Sequence, residues 1–463
     1  MRKYRAGNLY HPVVIPLICA FFFNICGCGY TGRPFKEEPG MVELLEEDAG
    51  IGEFLQNENY QLPSNPSFDD YFTYAAFRNR ELRAIFERWK AALWKIPQVK
   101  SLPDPRFTYA YYIKNVETRV GPQRQSFSIA QTFPWYDKLR LKGETAFLEA
   151  EALRWELESK RWKLYEDLSR LYYDLAYTRR AVDITNDHIA LLGHLESALK
   201  IGYSAGIVPY GYLTQLQTEM GKLENRLKTL EDYIAALEAE FNSLLHRSVW
   251  EPVVVGELRD VGSVSINERD ALRLIEESSP DLKVAEKRVA LAQKGVDLAK
   301  TFYFPDLTLS VTAIDTGDAD NPLTPESGKD PVIVGVSVNL PFWWERIEAG
   351  VKEARTRYEA SIADREKTLD LLSARLKLIL YRLRDSERKI RLYGNDLIPK
   401  ARQSLEVNLE NLRTGEATFS DVINAERVLL EFELSLEEAR AGAAKALAAY
   451  ERLIGRRVDK ASK

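Results

Sequence analysis

The sequence predicts a mainly α-helical fold with a small β part, built from one helix–strand–strand–long helical hairpin unit used twice. Three observations lead there. Landmarks recur in the same order at nearly the same distance: Pro134-Trp135-Tyr136 and Gly143 against Pro341-Phe342-Trp343 and Gly350, 207 apart. Gly206-Ile207-Val208-Pro209-Tyr210 against Gly415-Glu416-Ala417-Thr418-Phe419, and Asn186-Asp187 against Asn395-Asp396, are 209 apart. A period of this size marks a duplicated unit. The hydrophobic period also changes from two to 3.5 at the same place in each unit, and proline is missing from very long stretches.

The chain begins with Arg2, Lys3 and Arg5, followed by apolar residues 13–26, interrupted by Pro16 and Asn24. That is the form of a secretory signal rather than a spanning helix. Ile25-Cys26-Gly27-Cys28 resembles a bacterial lipobox, which predicts cleavage after residue 27 and lipidation (palmitate among the acyl groups) at Cys28. Residues 28–67 are polar and turn-rich and read as a linker. The first repeat is placed at 68–248, an equatorial linker at 249–268, the second repeat at 269–457 and a tail at 458–463.

Strands are expected where apolar and small or polar residues alternate. Phe107, Tyr109, Tyr111 and Ile113 alternate with Thr108, Ala110 and Tyr112, and Phe127, Ile129 and Phe133 with Ser126, Ser128, Ala130 and Thr132. In the second unit Leu307, Leu309 and Val311 alternate with Thr308, Ser310 and Thr312, and Val332, Val334, Val336 and Val338 with Gly335, Ser337 and Asn339. After each strand pair comes helix. Residues 136–202 contain no proline and could form one helix of about 100 Å. Leu223, Leu227, Leu230, Ile234, Leu237, Phe241 and Leu244 step four and three, as do Leu369, Leu372, Leu376, Ile379 and Leu383, and Val422, Ala425, Leu429, Phe432 and Leu436. This is the stripe of coiled-coil packing. Pro399 should bend the second long helix locally, and Gly206 and Gly415 should end helices.

Composition narrows the function. With 64 Lys+Arg against 69 Asp+Glu the net charge is −5, which argues against a nucleic-acid partner. The three cysteines are Cys19, Cys26 and Cys28, so the body has neither a disulfide framework nor a cysteine metal site. HExxH, GxSxG, P-loop and Rossmann motifs are missing, so neither an enzyme nor a cofactor is expected. His188, His194 and His246 have no ligand spacing and are read as packing or surface residues; no metal site is expected. Met41 and Met220 alone follow Met1, too few for a methionine-lined metal route.

Four strands cannot close a barrel, and in lipid every backbone group must be paired. The strands should therefore close with those of other chains, and three chains give twelve, an even number within the range of outer-membrane barrels. Trp135, Tyr136, Phe342, Trp343 and Trp344 fall where strand turns into helix, the level of a membrane–water interface. No run of 18 apolar residues occurs beyond the N-terminus, so the helices belong in water.

The strand-to-helix segments, with the turns Ala205-Gly206-Ile207 and Thr414-Gly415-Glu416, resemble the outer-membrane factor family, the TolC-like efflux channels. The resemblance covers roughly residues 68–457 and rests on the duplicated order rather than on one motif. It implies a homotrimer: a twelve-stranded transmembrane β-barrel in the bacterial outer membrane, continued by an α-helical barrel into the periplasm. It implies passive export of small molecules or metal ions delivered by an inner-membrane pump of RND type through a periplasmic adaptor. The adaptor would touch the tips at Gly206, Ile207, Gly415 and Glu416. Asp421 matches a position where the family places an acidic pore ring, Asn424 stands where a second acid can occur, and Tyr212 occupies the corresponding place in the first unit. Leu412 and Ala417 replace residues that latch the tip in the best-known member. An exit duct for type I protein secretion shares this architecture. A periplasmic coiled-coil adaptor is the alternative of a different class, with one hairpin where this sequence has two.

Overall fold

The computed structural model describes residues 60–256, 258 and 266–458. The expected signal sequence, Cys28 and most of the N-terminal linker and C-terminal tail lie outside the described residues. Two helices, α1 (Phe68–Arg78) and α2 (Arg80–Lys100), precede β1 (Arg106–Val116) and β2 (Gln123–Phe133). The long α3 (Tyr136–Ser204) follows and returns as α4 (Tyr210–Leu244). The same order then repeats: α5 (Glu268–Ser278), α6 (Pro280–Lys300), a 3-10 turn (Thr301–Tyr303), β3 (Leu307–Thr316) and β4 (Val332–Val338). The second long arm is α7 (Trp344–Arg391), a π turn (Leu392–Leu397) and α8 (Ile398–Thr414), returning as α9 (Phe419–Ile454).

Each helix start has a local cause. Ser67 and Thr418 form capping boxes with Asp70 and Asp421, the hydroxyl accepting the third N–H while the carboxylate accepts from the cap backbone. Asn79 and Asn267 accept from the first turns of α2 and α5. The unbroken α3 has 69 residues, matching the stretch without proline between Pro134 and Pro209. Its end is a Schellman turn: Ile207 N–H bonds Gly202 O at 2.9 Å and Gly206 N–H bonds Tyr203 O at 2.9 Å, with Gly206 at φ +70°. Gly415, at φ +81°, ends α8 in the same hand.

Proline399 does not break the second arm. It has no N–H to give to Asn395, and its ring would meet that carbonyl in a regular helix. The chain widens into the π turn just before it, and α8 then continues with Pro399 in its first turn. A π turn is one inserted residue. Buried positions of α3 and α7 correspond 208 apart (Leu164 with Leu372, Leu168 with Leu376, Leu171 with Ile379, Leu175 with Leu383). Beyond the π turn the landmarks are 209 apart. The helical register of 208 therefore dissolves the apparent match of Gly143 with Gly350. Gly143 is crossed by the Lys100 stem, while Gly350 has open space.

Packing follows the heptads. Leu372, Leu376, Ile379 and Leu383 of α7 are buried against Ala446, Tyr450 and Leu453 of α9 and Ile275 of α5. Nearer the tips, Ile184 and Leu192 of α3 meet Leu216 and Leu223 of α4 and Phe419, Ile423 and Leu430 of α9. Among the described residues no helix is long and apolar enough to cross a membrane.

The four strands form one antiparallel sheet in the order β1-β2-β3-β4. The two hairpins join through β2 and β3, with Ile129 opposite Val311 and Phe133 opposite Leu307. The two inter-strand loops also dock: Gly317 N–H donates to Pro122 O at 2.7 Å and Gly328 N–H to Val120 O at 2.8 Å. Gly121 sits between them at φ +133°, and a Cβ there would lie 1.7 Å from Gly317 O. Gly121→Ala is expected to separate the loops, read as faster proteolysis within residues 317–331 while the helices stay resistant.

Candidate functional site: an open β ribbon and two helical tips

Rows across the sheet show its two chemistries. One face carries Phe107, Ile129, Val311 and Val334 in one row and Tyr109, Phe127, Ala313 and Val332 in the next. The other carries Thr108, Ser128, Thr312 and Ile333, then Thr132, Thr308 and Ser337. Thr312 donates to Ser128 at 2.8 Å, and the Thr132 and Thr308 hydroxyls are 2.9 Å apart. The apolar face is bare: Tyr111, Ile113, Val334 and Val336 are exposed, Val334 by 74%. Strands β1 and β4 have no further strand beside them among the described residues. An apolar face this continuous, with open backbone on both sides, is not a finished surface for water.

At the foot of the sheet the two repeats are tied together. Lys138, in the first turn of α3, has a side chain only 6% exposed; its Nζ donates to Asp306 Oδ1 at 2.7 Å and to Phe304 O at 3.1 Å. Asp306 also accepts from the Trp135 N–H at 2.9 Å, and its own N–H donates to Asn339. Trp135 stacks on Phe304 with centroids 4.7 Å apart. Tyr136, Phe342, Trp343 and Trp344 are all exposed and, like Trp135, fall in the chain where strand gives way to helix. Lys138 and Asp306 were not singled out from the sequence; the repeated Pro-Asp at 103–104 and 305–306 was the available signal.

The tips differ in chemistry. The first presents Ile207, 79% exposed, beside Tyr203 and Tyr210, whose rings lie 5.4 Å apart. The second presents Gly415 and Glu416, both exposed. Asp421 is exposed and engaged in its cap; hydrogen bonds from the Thr418 hydroxyl and then its backbone N–H hold the carboxyl below its ordinary range. Asn424 is exposed one turn further on, and Tyr212 is half-buried, stacked 5.2 Å from Phe419. The structure thus brings Tyr212 to the start of α9, but as a packed ring.

Behind the tips, charged groups join the two arms. Arg427 of α9 bonds Glu219 of α4. His188 of α3 is buried between Glu426 at 2.8 Å and Glu433 at 3.1 Å, both on α9, and Arg402 of α8 bonds Glu433 at 2.8 Å. Burial pulls the His188 pKa down, but the bonds to Glu426 and then Glu433 outweigh it and leave it at about 9. Nothing in the spacing of His188 and these acids signals the contact. Among the described residues no group of three or more His, Cys, Asp or Glu is arranged to hold a metal ion.

The duplicated hairpin carrying a β ribbon on long helical arms is a fold shared with solved membrane proteins. VceC of Vibrio cholerae superposes with a TM-score of 0.67 at 18% identity, covering 84% of this chain and 96% of its own. The outer membrane channel MtrE of Neisseria gonorrhoeae gives 0.66 at 15%, covering 85% and 89%, and a membrane protein of Pseudomonas aeruginosa gives 0.70 at 15%, covering 86% and 96%. Residues 271–456 match the family model described as outer membrane efflux protein. Toxin and drug export protein A of Aggregatibacter actinomycetemcomitans is 23% identical over 200 residues. That match spans 42% of this chain and 42% of the curated relative's length.

Proposed function

We propose that three copies of this chain close a twelve-stranded barrel in the bacterial outer membrane, and that their helices continue it as a water-filled duct through the periplasm. The observation that carries this reading is the four-stranded ribbon with one bare apolar face, one small polar face and two open edges. Three such ribbons would pair every edge, turn the apolar rows to lipid and the Thr and Ser rows to the lumen. Trp135, Tyr136, Phe342, Trp343 and Trp344 would lie at the membrane–water interface, and a lipid on Cys28 would add an anchor.

The duct does no chemistry of its own. Energy would come from an inner-membrane pump of RND type, joined through a periplasmic adaptor that meets Ile207 and Glu416 at the tips. The cargo we assign is small molecules or metal ions; the name of the toxin and drug exporter supports the small-molecule class. Asp421 and Asn424, exposed at the start of α9, would line the narrow end, where three carboxylates gather cations, and Tyr212 would brace it through Phe419.

Planar-bilayer recording of the purified protein tests this. Stepwise, cation-preferring conductance is expected, and Asp421→Ala should weaken both that preference and block by divalent ions. A folded trimer that passes no current would sink the channel; chemical crosslinking that gives only monomers would sink the trimer. Unchanged selectivity in Asp421→Ala would remove Asp421 from the gate.

A further inference from the structure

The contact between the two repeats inside one chain is a template for the contact between two chains. Strand and helix orders match: α2 leads into β1, α3 leaves β2, α6 leads into β3 and α7 leaves β4. The β2–β3 seam is finished at its foot by Lys138 and Asp306. Higher along the same flank, Arg288 of α6 lies 3.2 Å from Glu156 of α3. The open edges β1 and β4 are flanked by α2 and α7, the repeat equivalents of α6 and α3.

The register of the repeats identifies the counterparts. α2 and α6 begin 200 residues apart, after caps Asn79 and Ser279, with Leu82 and Leu282, and Ile96 and Val296, buried alike. The 3-10 turn at Thr301–Tyr303 adds two residues, so Asp104 of Pro103-Asp104 corresponds to Asp306 of Pro305-Asp306. The offset of 208 between α3 and α7 makes Arg346 the counterpart of Lys138 and Asp364 that of Glu156. Arg88 is the counterpart of Arg288. Charge sign is kept at all four positions. Asp104, Arg346, Arg88 and Asp364 are exposed, and among the described residues none has an ion-pair partner.

We propose that the β1 edge of one copy pairs with the β4 edge of the next, and that Asp104 receives Arg346 of the neighbouring copy while Arg88 meets Asp364 of that copy. This rests on the closed-ring reading above; what it adds is the residues that lock the seam and its register. A guanidinium can hold a carboxylate by two parallel bonds, and like charges brought together in a seam exclude wrong registers.

The test is a double variant of the full chain, Asp104→Cys with Arg346→Cys, oxidised in detergent beside each single variant. Covalent dimers and trimers from the double variant alone are expected. Trimers by native mass spectrometry without those crosslinks would overturn the seam and leave the ring standing; no oligomer from the unmodified protein would overturn both. Charge reversal is the second arm. Asp104→Arg is expected to lower the SDS-resistant trimer by about tenfold, the scale of a charge pair in a desolvated seam, and Arg346→Asp added to it should restore the trimer. Failure of the exchange to restore it would refute the pairing.

Discussion

Val334→Arg is expected to block insertion of the protein into lipid, whereas Ile333→Arg, one residue earlier on the same strand, leaves it largely intact. Adjacent strand residues face opposite sides, and the register places them in unlike company. Val334 stands opposite Val311 in the row of Phe107 and Ile129; Ile333 stands opposite Thr312 in the row of Thr108 and Ser128. An arginine near mid-depth on the lipid face of a barrel costs about 2–4 kcal/mol. In the proposed ring of three copies that cost would be met three times. An arginine on the Thr and Ser face would instead project into water. Heat-modifiable trimer recovered after refolding into liposomes measures the difference. Equal recovery of the two variants would mean that the apolar rows do not face lipid.

His188→Ala carries the second large effect. The imidazole is 5% exposed between Glu426, which is fully buried, and Glu433. Removing it leaves a buried carboxylate without its cation, and Glu426 Oε2 already has no hydrogen-bond partner. Losing one member of a buried pair costs about 3–5 kcal/mol. The double variant His188→Leu with Glu426→Leu should recover much of that, because apolar replacement of both partners is often close to neutral. The pH dependence has a definite sign. The histidine pKa rises from an ordinary 6.5 to about 9 on folding. The native state therefore binds the proton more tightly, and this part of the stability is fully present below pH 6.5. It is lost as pH rises through about 9. Chemical denaturation of the wild-type protein from pH 6 to 10 should show that alkaline loss, and His188→Ala should flatten it. An unchanged slope in the variant would show that His188 is not the titrating group.

The tips and the sheet foot show two kinds of legibility. Gly206 and Gly415 were readable as helix ends because the left-handed conformation they adopt is a local demand that few other residues meet. The alternation of Leu307, Leu309 and Val311 was readable because one sheet face is apolar throughout. The Lys138–Asp306 tie and the His188 bridge to Glu426 were not, since each joins residues far apart in the chain whose types are ordinary on helices.

Proline placement, heptads and strand alternation by themselves determined the element order, the length of α3 and which residues share a face, because each depends on neighbours within a turn or two of chain. Only the tertiary structure decided that β2 joins β3, leaving β1 and β4 as the open edges. It alone also decided that Pro399 is absorbed by a π turn and that Tyr212 packs on Phe419 while Asp421 stays in water. Those outcomes depend on which distant surfaces meet, and packing free energy, not local preference, selects them.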